Sequence, residues 1–191
     1  ADALFARFVK NHNAYTPTLV AYHTILIANA LASDPNYQYV AKSQKEAMAK
    51  QPPMKEAEVA GYARTFTELK EVVRQMNRDG VTILAGTDIA GPRIPGFTLH
   101  EELAFLVEVG LTPLQALQAA TLNPARLLKQ DHDLGTIETG KLADLVLLDG
   151  NPLDDIHNTT RISAVIARGK LMRRPQLDAL LKDAAVLANR N

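Results

Sequence analysis

The chain has 191 residues, 47% of them hydrophobic and 22% charged, with 21 Lys+Arg balancing 21 Asp+Glu and no cysteine. This is the composition of one globular domain or slightly more. Charge balance excludes a strongly basic nucleic-acid or anionic-lipid face, the lack of cysteine excludes disulfides, Cys-based zinc sites and thiol nucleophiles, and no apolar run approaches the roughly 20 residues that span a bilayer. Zero cysteine suits reducing and oxidising compartments equally, so the sequence assigns no location. Ala rather than Met at position 1 leads us to expect a trimmed or excised chain.

Residues Ala3 to Val9 read as the end of a helix, with Leu4, Phe5, Phe8 and Val9 on one side and Asn11-His12-Asn13 as its stop. Tyr15 to Tyr22, YTPTLVAY, has the β-branched and aromatic character of a strand, although Pro17 lacks an amide donor. His23 follows, either as a residue at a strand mouth or as a surface or helix-start histidine. Thr24 to Ala32 and Ala41 to Lys50 carry helical patterns, ended by Ser33-Asp34-Pro35-Asn36 and by Gln51-Pro52-Pro53. A longer helix follows. Its apolar positions Val59, Tyr62, Ala63, Phe66, Leu69, Val73 and Met76 recur in steps of three and four, and Asp79-Gly80 stops it. The segment between the first and second strands is roughly 60 residues, against the ~10–12 of a minimal crossover, so it holds a lid, a substrate loop or a structural insertion.

The stretch GVTILAGTDIAGPRIPGFTLHEELAFLVEVG, from Gly80 to Gly110, organises the rest. Val81 to Ala85 is a short apolar run bounded by glycine, the pattern of a strand buried on both faces in a parallel sheet. Thr87 and Asp88 lie just past its carboxyl end, where α/β folds place ligands and catalytic groups. Asp88 is therefore the candidate catalytic residue; the alternative is a turn aspartate capping its own loop. The loop beyond it contains the breakers Gly91, Pro92, Pro95 and Gly96. A helix from Leu99 to Val109 is expected next, with Thr98 and Glu101 at capping-box spacing, Glu101-Glu102 at its positive end, and Leu99, Leu103, Leu106 and Val107 as the buried stripe. Gly110 ends it. Thr112-Pro113-Leu114-Gln115 opens another helix, and Asn123-Pro124 a third, Ala125 to Lys129. Asp131-His132-Asp133 is a polar connection in which His132 either chelates or is simply solvated. Beyond it the pattern changes to short strands and tight turns: Gly135 to Lys141 as turns, Asp144 to Asp149 and Ile162 to Ala167 as strands, Gly169 as a turn and Leu171-Met172 as a stub. This suggests part of an antiparallel sheet. Pro175 opens a last helix, Gln176 to Ala188.

Three features together resemble one family: the strand ending in Gly86-Thr87-Asp88, the helix pair LHEELAFLVEVGLTPLQALQAATLNPARLL, and GTIETGKLADLVLLDGNPLDDI. In order and spacing they are similar to the C-terminal portion of the amidohydrolase superfamily, nearest its imidazolonepropionase-like and prolidase-like members, from Tyr15 to about Arg174. The resemblance implies an α/β fold: the C-terminal part of a (β/α)8 TIM barrel, strands 7 and 8 with their helices, plus the C-terminal part of a small β-sandwich. Residues 1–130 would be the partial barrel, 131–174 part of the sandwich and 175–191 a C-terminal helix. Tyr15 to Leu19 would be strand 7, and Asp88 would end strand 8. Asp88 would then be both metal ligand and catalytic base for a divalent ion, zinc first. A bound divalent ion lowers the pKa of its water toward ~7 and polarises the scissile carbonyl, while a carboxylate accepts and returns the proton. His100 becomes a candidate substrate contact at the barrel mouth, or a histidine near a helix start with no partner. Arg93 becomes a candidate fork for a substrate carboxylate, or a solvated loop arginine. Asp144 and the Gly140-Lys141 turn read as structural.

The sequence departs from the family in its ligands. The family adds a His-x-His on strand 1, often a carboxylated Lys on strand 4, and His on strands 5 and 6. The five histidines here, His12, His23, His100, His132 and His157, match none of these. A catalytic zinc needs about three protein ligands. We therefore expect a fragment of an amidohydrolase that cleaves amide, cyclic-amide or dipeptide-like C–N bonds, itself binding no catalytic metal and inactive alone. Two barrel strands leave open edges, so the expected partner is the missing N-terminal half or another copy of the chain, with no nucleic acid and no membrane. Competing readings are a non-catalytic binding or assembly module, and a self-contained α/β enzyme using Asp88 without metal. The last would need a nucleophile–base pair beside Asp88, and none is evident.

Overall fold

A computed structural model of the chain describes residues 2–88 and 93–190. Gly91 and Pro92, two of the breakers read from the sequence, lie outside the described residues. Helix α1 (Asp2–Lys10) leads into strand β1 (Ala14–Tyr15), which pairs in parallel with β2 (Thr82–Ile83), Ala14 opposite Thr82 and Tyr15 opposite Ile83. The pairing extends one residue further, the Leu84 amide donating to the Tyr15 carbonyl at 2.9 Å. Between these strands run α2 (Leu19–Leu26), two 3-10 turns (Ala28–Ser33 and Pro35–Tyr39), α3 (Lys42–Ala49) and α4 (Glu56–Arg78).

The fold overturns three expectations in this region. YTPTLVAY is a strand only at its start, and from Leu19 it is helix. Pro17 has no amide to give a ladder, Thr18 turns the chain at φ 49°, and the fully buried Leu19 and Val20 then pack as one face of α2. The helical pattern of Thr24 to Ala32 belongs partly to α2 and partly to the following 3-10 turn. The second strand is buried on one face, not two: Val81 and Ile83 are buried while Thr82 between them is exposed. That is the period-two alternation of a strand covered by a single layer.

The long helix α4 ends where the sequence indicates, with Gly80 at φ 81° just beyond it. Its buried Phe66, Val73 and Met76 join Leu19, Ile83, Leu103, Leu106, Ala116 and Ala119 in one core. Each of the larger of these, the Phe, Leu, Ile, Val and Met side chains, contributes about 1.5–3 kcal/mol on burial. Helix α5 (Phe97–Glu108) packs against α2 and is followed by α6 (Pro113–Ala120), which it also contacts, and α7 (Leu122–Leu127). The Thr112–Gln115 capping box of α6 forms as the sequence predicts, with reciprocal bonds of 3.2 and 2.8 Å. The one expected for α5 does not. Gly96, at φ 95°, is the residue before the helix, so Thr98 is already inside it, buried, its hydroxyl 3.4 Å from the Ile94 carbonyl. Asn123 likewise lies within α7, and its side chain donates to the Ile83 carbonyl at 3.0 Å, pinning α7 to β2.

After the turns at 129–144, β3 (Leu145–Leu148), β4 (Ile162–Ala167) and β5 (Lys170–Arg173) form an antiparallel sheet in the order β3-β4-β5. Arg168 and Gly169, both at positive φ, make the two-residue hairpin between β4 and β5. Helix α8 (Arg174–Ala188) closes the chain. A 3-10 turn at Ile156–Thr160 joins this unit to α5: Ile156 enters the main core, and Thr159 meets His100. The sheet remains thinly covered, with Val146 56% and Leu147 44% exposed on β3.

Candidate functional site

In a parallel pair both carboxyl ends point the same way, so the turn after β1 and the segment after β2 face each other. Their approach is close. A Cβ added at Gly86 would lie 2.4 Å from the Thr16 methyl, which only glycine permits. Asp88, two residues on, is exposed and left-handed at φ 41°. Thr18, across from it, is left-handed as well, at φ 49°. A β-branched residue there is a backbone outlier costing roughly 1–2 kcal/mol.

Glu102 is the residue that sequence reasoning missed. It is fully buried on α5, and its Oε2 accepts the Val20 amide at 2.8 Å. Thr18, at the N-cap of α2, makes no side-chain capping bond, so this distant carboxyl serves the start of the helix instead. Burial pushes the Glu102 carboxyl up to about 7, opposed by hydrogen bonding from the Val20 and Leu19 amides. Oε1 has no partner among the described residues. A signal was present: Glu102 falls on the apolar stripe of Leu99, Leu103 and Leu106 at helical spacing, where a charge is out of place.

Arg93 is neither solvated nor open. Its guanidinium is buried and engaged by Glu101, the acid expected at the helix start, and by Asp34 at 3.4 Å. This clamps the 3-10 segment around Asp34 to the start of α5, where Tyr39 also stacks on Phe97 at 5.4 Å. The reading of Arg93 as a solvated loop residue is thus corrected; its fork grips two carboxylates of its own chain. His100 has a partner too. Its Nδ1 is 3.0 Å from the Thr159 hydroxyl, which also lies 2.9 Å from the Ile156 carbonyl. Burial lowers the His100 pKa and, foremost among several influences, that of His23. His23 packs edge-on against Phe105 at 5.0 Å, its Nδ1 unpartnered among the described residues. His132 and His157 are exposed beside Asp133 and Asp155, at 2.9 and 2.7 Å.

His23 and His100 meet not at Asp88 but in a largely apolar groove of about 970 Å³ between α5, β4 and α8, with Phe97, Phe105, Leu177 and Leu181 in its walls. Asp88 does not line it. The structure therefore does not gather the sequence candidates into one cluster: Asp88 stands at the strand mouth, Arg93 in a buried clamp, His100 in the groove. Among the described residues, no group of three or more His, Asp or Glu could hold a metal ion. Nor is any helix among them long and apolar enough to cross a membrane.

Comparison with known proteins covers most of this region. The model of the amidohydrolase family matches residues 17–172. The ochratoxinase of Aspergillus niger is 39% identical over 110 residues, spanning 55% of this chain and 22% of its own. The imidazolonepropionase of Shouchella clausii is 34% identical over 107 residues, spanning 52% and 23%. A crystal structure of a Xaa-Pro dipeptidase with methionine bound in its active site superposes with a TM-score of 0.66 at 30% identity, covering 88% of this chain and 36% of that one. The α/β arrangement is thus related to a TIM barrel. The chain spans between about a fifth and two fifths of the length of these relatives.

Proposed function

Since this chain belongs to the amidohydrolase family, we propose that it is the C-terminal portion of a hydrolase of carbon–nitrogen bonds in amides, cyclic amides or dipeptide-like substrates. The observation that carries the reading is Asp88: an exposed carboxylate at the carboxyl end of β2, beside the turn after β1, inside the region matched by the family. In this reading β1 and β2 are barrel strands 7 and 8, residues 1–130 the barrel part, 131–174 part of a sandwich, and 175–191 a terminal helix.

The family generally uses divalent metals. The donors of this chain do not by themselves fit one, because Asp88 supplies a single carboxylate where a catalytic zinc takes about three protein ligands. No step through a metal follows from these residues alone. Asp88's own contribution is that of a base at an open mouth: it takes a proton from an attacking water and gives it to the departing nitrogen. The chain alone is then inactive, and the remaining donors come from the rest of a longer protein or a second chain. Exposed Val146 and Leu147 on an outer strand, with Ile137 86% exposed nearby in sequence, suit such a covering partner. The same exposed edge favours a second reading, a non-catalytic assembly module.

The test is complementation. The chain is expressed alone and together with the residues encoded before it in the same reading frame, and metal content and hydrolysis of N-acyl amino acids and dipeptides are measured. The hydrolase reading expects no turnover from the chain alone, turnover from the combination, and its loss in Asp88→Asn. Stoichiometric metal with turnover in the chain alone would sink the fragment reading; an inactive combination would favour the assembly module.

A further inference from the structure

Helix α2 begins without a local cap. Its first residues, Leu19 and Val20, are fully buried, so water cannot satisfy their amides. Thr18 is a residue type that ordinarily caps such amides with its hydroxyl, but its left-handed backbone removes it from that role. The acceptor comes instead from 82 residues away, as Glu102 Oε2 at 2.8 Å from the Val20 amide. A left-handed β-branched residue persists only where its surroundings over-determine it. Here one side of the turn is held by Glu102, and the other by the contact of Thr16 with the backbone at Gly86.

We propose that Glu102 is a positioning residue: reaching from α5, its carboxyl caps α2 in place of Thr18 and so holds the Thr16–Thr18 turn against the segment that carries Asp88. This rests on the reading of Asp88 as the reactive carboxylate, and extends it by naming what fixes the wall opposite. The groups involved lie on three separate elements, so the mouth keeps its shape only while α5, α2 and the β2 segment stay in register.

The test is amide exchange and chemical shift by NMR on the isotope-labelled 191-residue chain, which needs neither metal nor turnover. Failure here is thereby separable from failure of the hydrolase reading. Glu102→Ala should speed exchange at Leu19 and Val20 by roughly 10- to 100-fold, as leaving a buried amide without its acceptor gives. It should also shift the Gly86–Asp88 amide resonances, with Val73 in α4 unchanged as an internal control. Glu102→Gln, which keeps a carbonyl acceptor, should restore the protection. Should Glu102→Ala not fold, the wild-type chain decides: the Val20 amide shift must follow the Glu102 carboxyl carbon through its titration, and must become pH-invariant in Glu102→Gln. The proposal is overturned if Val20 ignores that titration. It is equally overturned if exchange rises uniformly through α4, or if Gln behaves as Ala.

Discussion

Glu102 makes the stability of this chain depend on pH in a definite direction. Its carboxyl sits at about 7 in the fold against an ordinary 4.5, so the folded chain keeps its proton longer than the unfolded chain does. For a group raised in this way, stability is fully present below the unfolded value and is lost as pH rises through the folded one. The window is therefore pH 4.5 to about 7. At about 1.4 kcal/mol per unit, the full loss is about 3 kcal/mol, a large share of the 5–15 kcal/mol typical of a domain. His23 and His100 act in the opposite sense. Their pKa values are lowered by burial, so stability they contribute at high pH is lost as pH falls. The raw profile mixes the three, so the quantity to measure is the difference between wild type and Glu102→Gln. Gln mimics the protonated acid and leaves both histidines in place. Urea denaturation followed by circular dichroism from pH 5 to 8.5 should show the wild type losing up to about 3 kcal/mol relative to the variant, with an unchanged m-value. A flat difference curve would refute the reasoning. A wild type that gains with pH would do so more sharply, because the Val20 and Leu19 amides would then outweigh desolvation.

Two further outcomes follow from the same geometry. Gly86→Ala should destabilise the chain by about 1–3 kcal/mol through overpacking against the Thr16 methyl, and Thr16→Ser, which removes that methyl, should recover most of the loss in a double-mutant cycle. Arg93→Ala should cost about 2 kcal/mol, less than the 3–5 of a fully buried pair because Asp34 and Glu101 are 21% and 35% exposed, and limited proteolysis should then cut faster between Asp34 and Val40.

What was legible in the sequence is what local chemistry decides. The apolar steps of α4 and the Gly80 stop, the Thr112–Gln115 box, the turn at Gly169 and both ends of β4 each rest on residues within a few positions of one another. What was not legible rests on distant partners. Leu19-Val20-Ala21-Tyr22 has strand-like residues, and it is helical because Glu102 satisfies the Val20 amide and the core takes Leu19. Arg93 reads as a loop residue until Asp34, far earlier in the chain, comes to meet it. The position of Asp88 was readable from strand polarity. The histidines were not, since His100 is turned toward Thr159 by a turn in another unit.

The backbone separates ordinary strain from strain that asks for a reason. Five non-glycine residues among those described have positive φ. His12 and Lys129 sit just past α1 and α7, where the Asn13 amide reaches the Phe8 carbonyl and the Gln130 amide the Ala125 carbonyl, the bonding of a helix-ending turn. Arg168 is half of a two-residue hairpin, which requires that conformation. Helix ends and hairpins thus account for three. Thr18 opens a helix rather than ending one, and it stands with Asp88 at the same end of one parallel pair, joined by the Thr16–Gly86 contact. Beside them a carboxylate is buried with one oxygen unpartnered among the described residues. A chain selected for stability alone would put glycine at 18. That the left-handed Thr18 and the half-partnered Glu102 fall beside the segment carrying Asp88 is what the proposed reading of Asp88 as the reactive carboxylate expects.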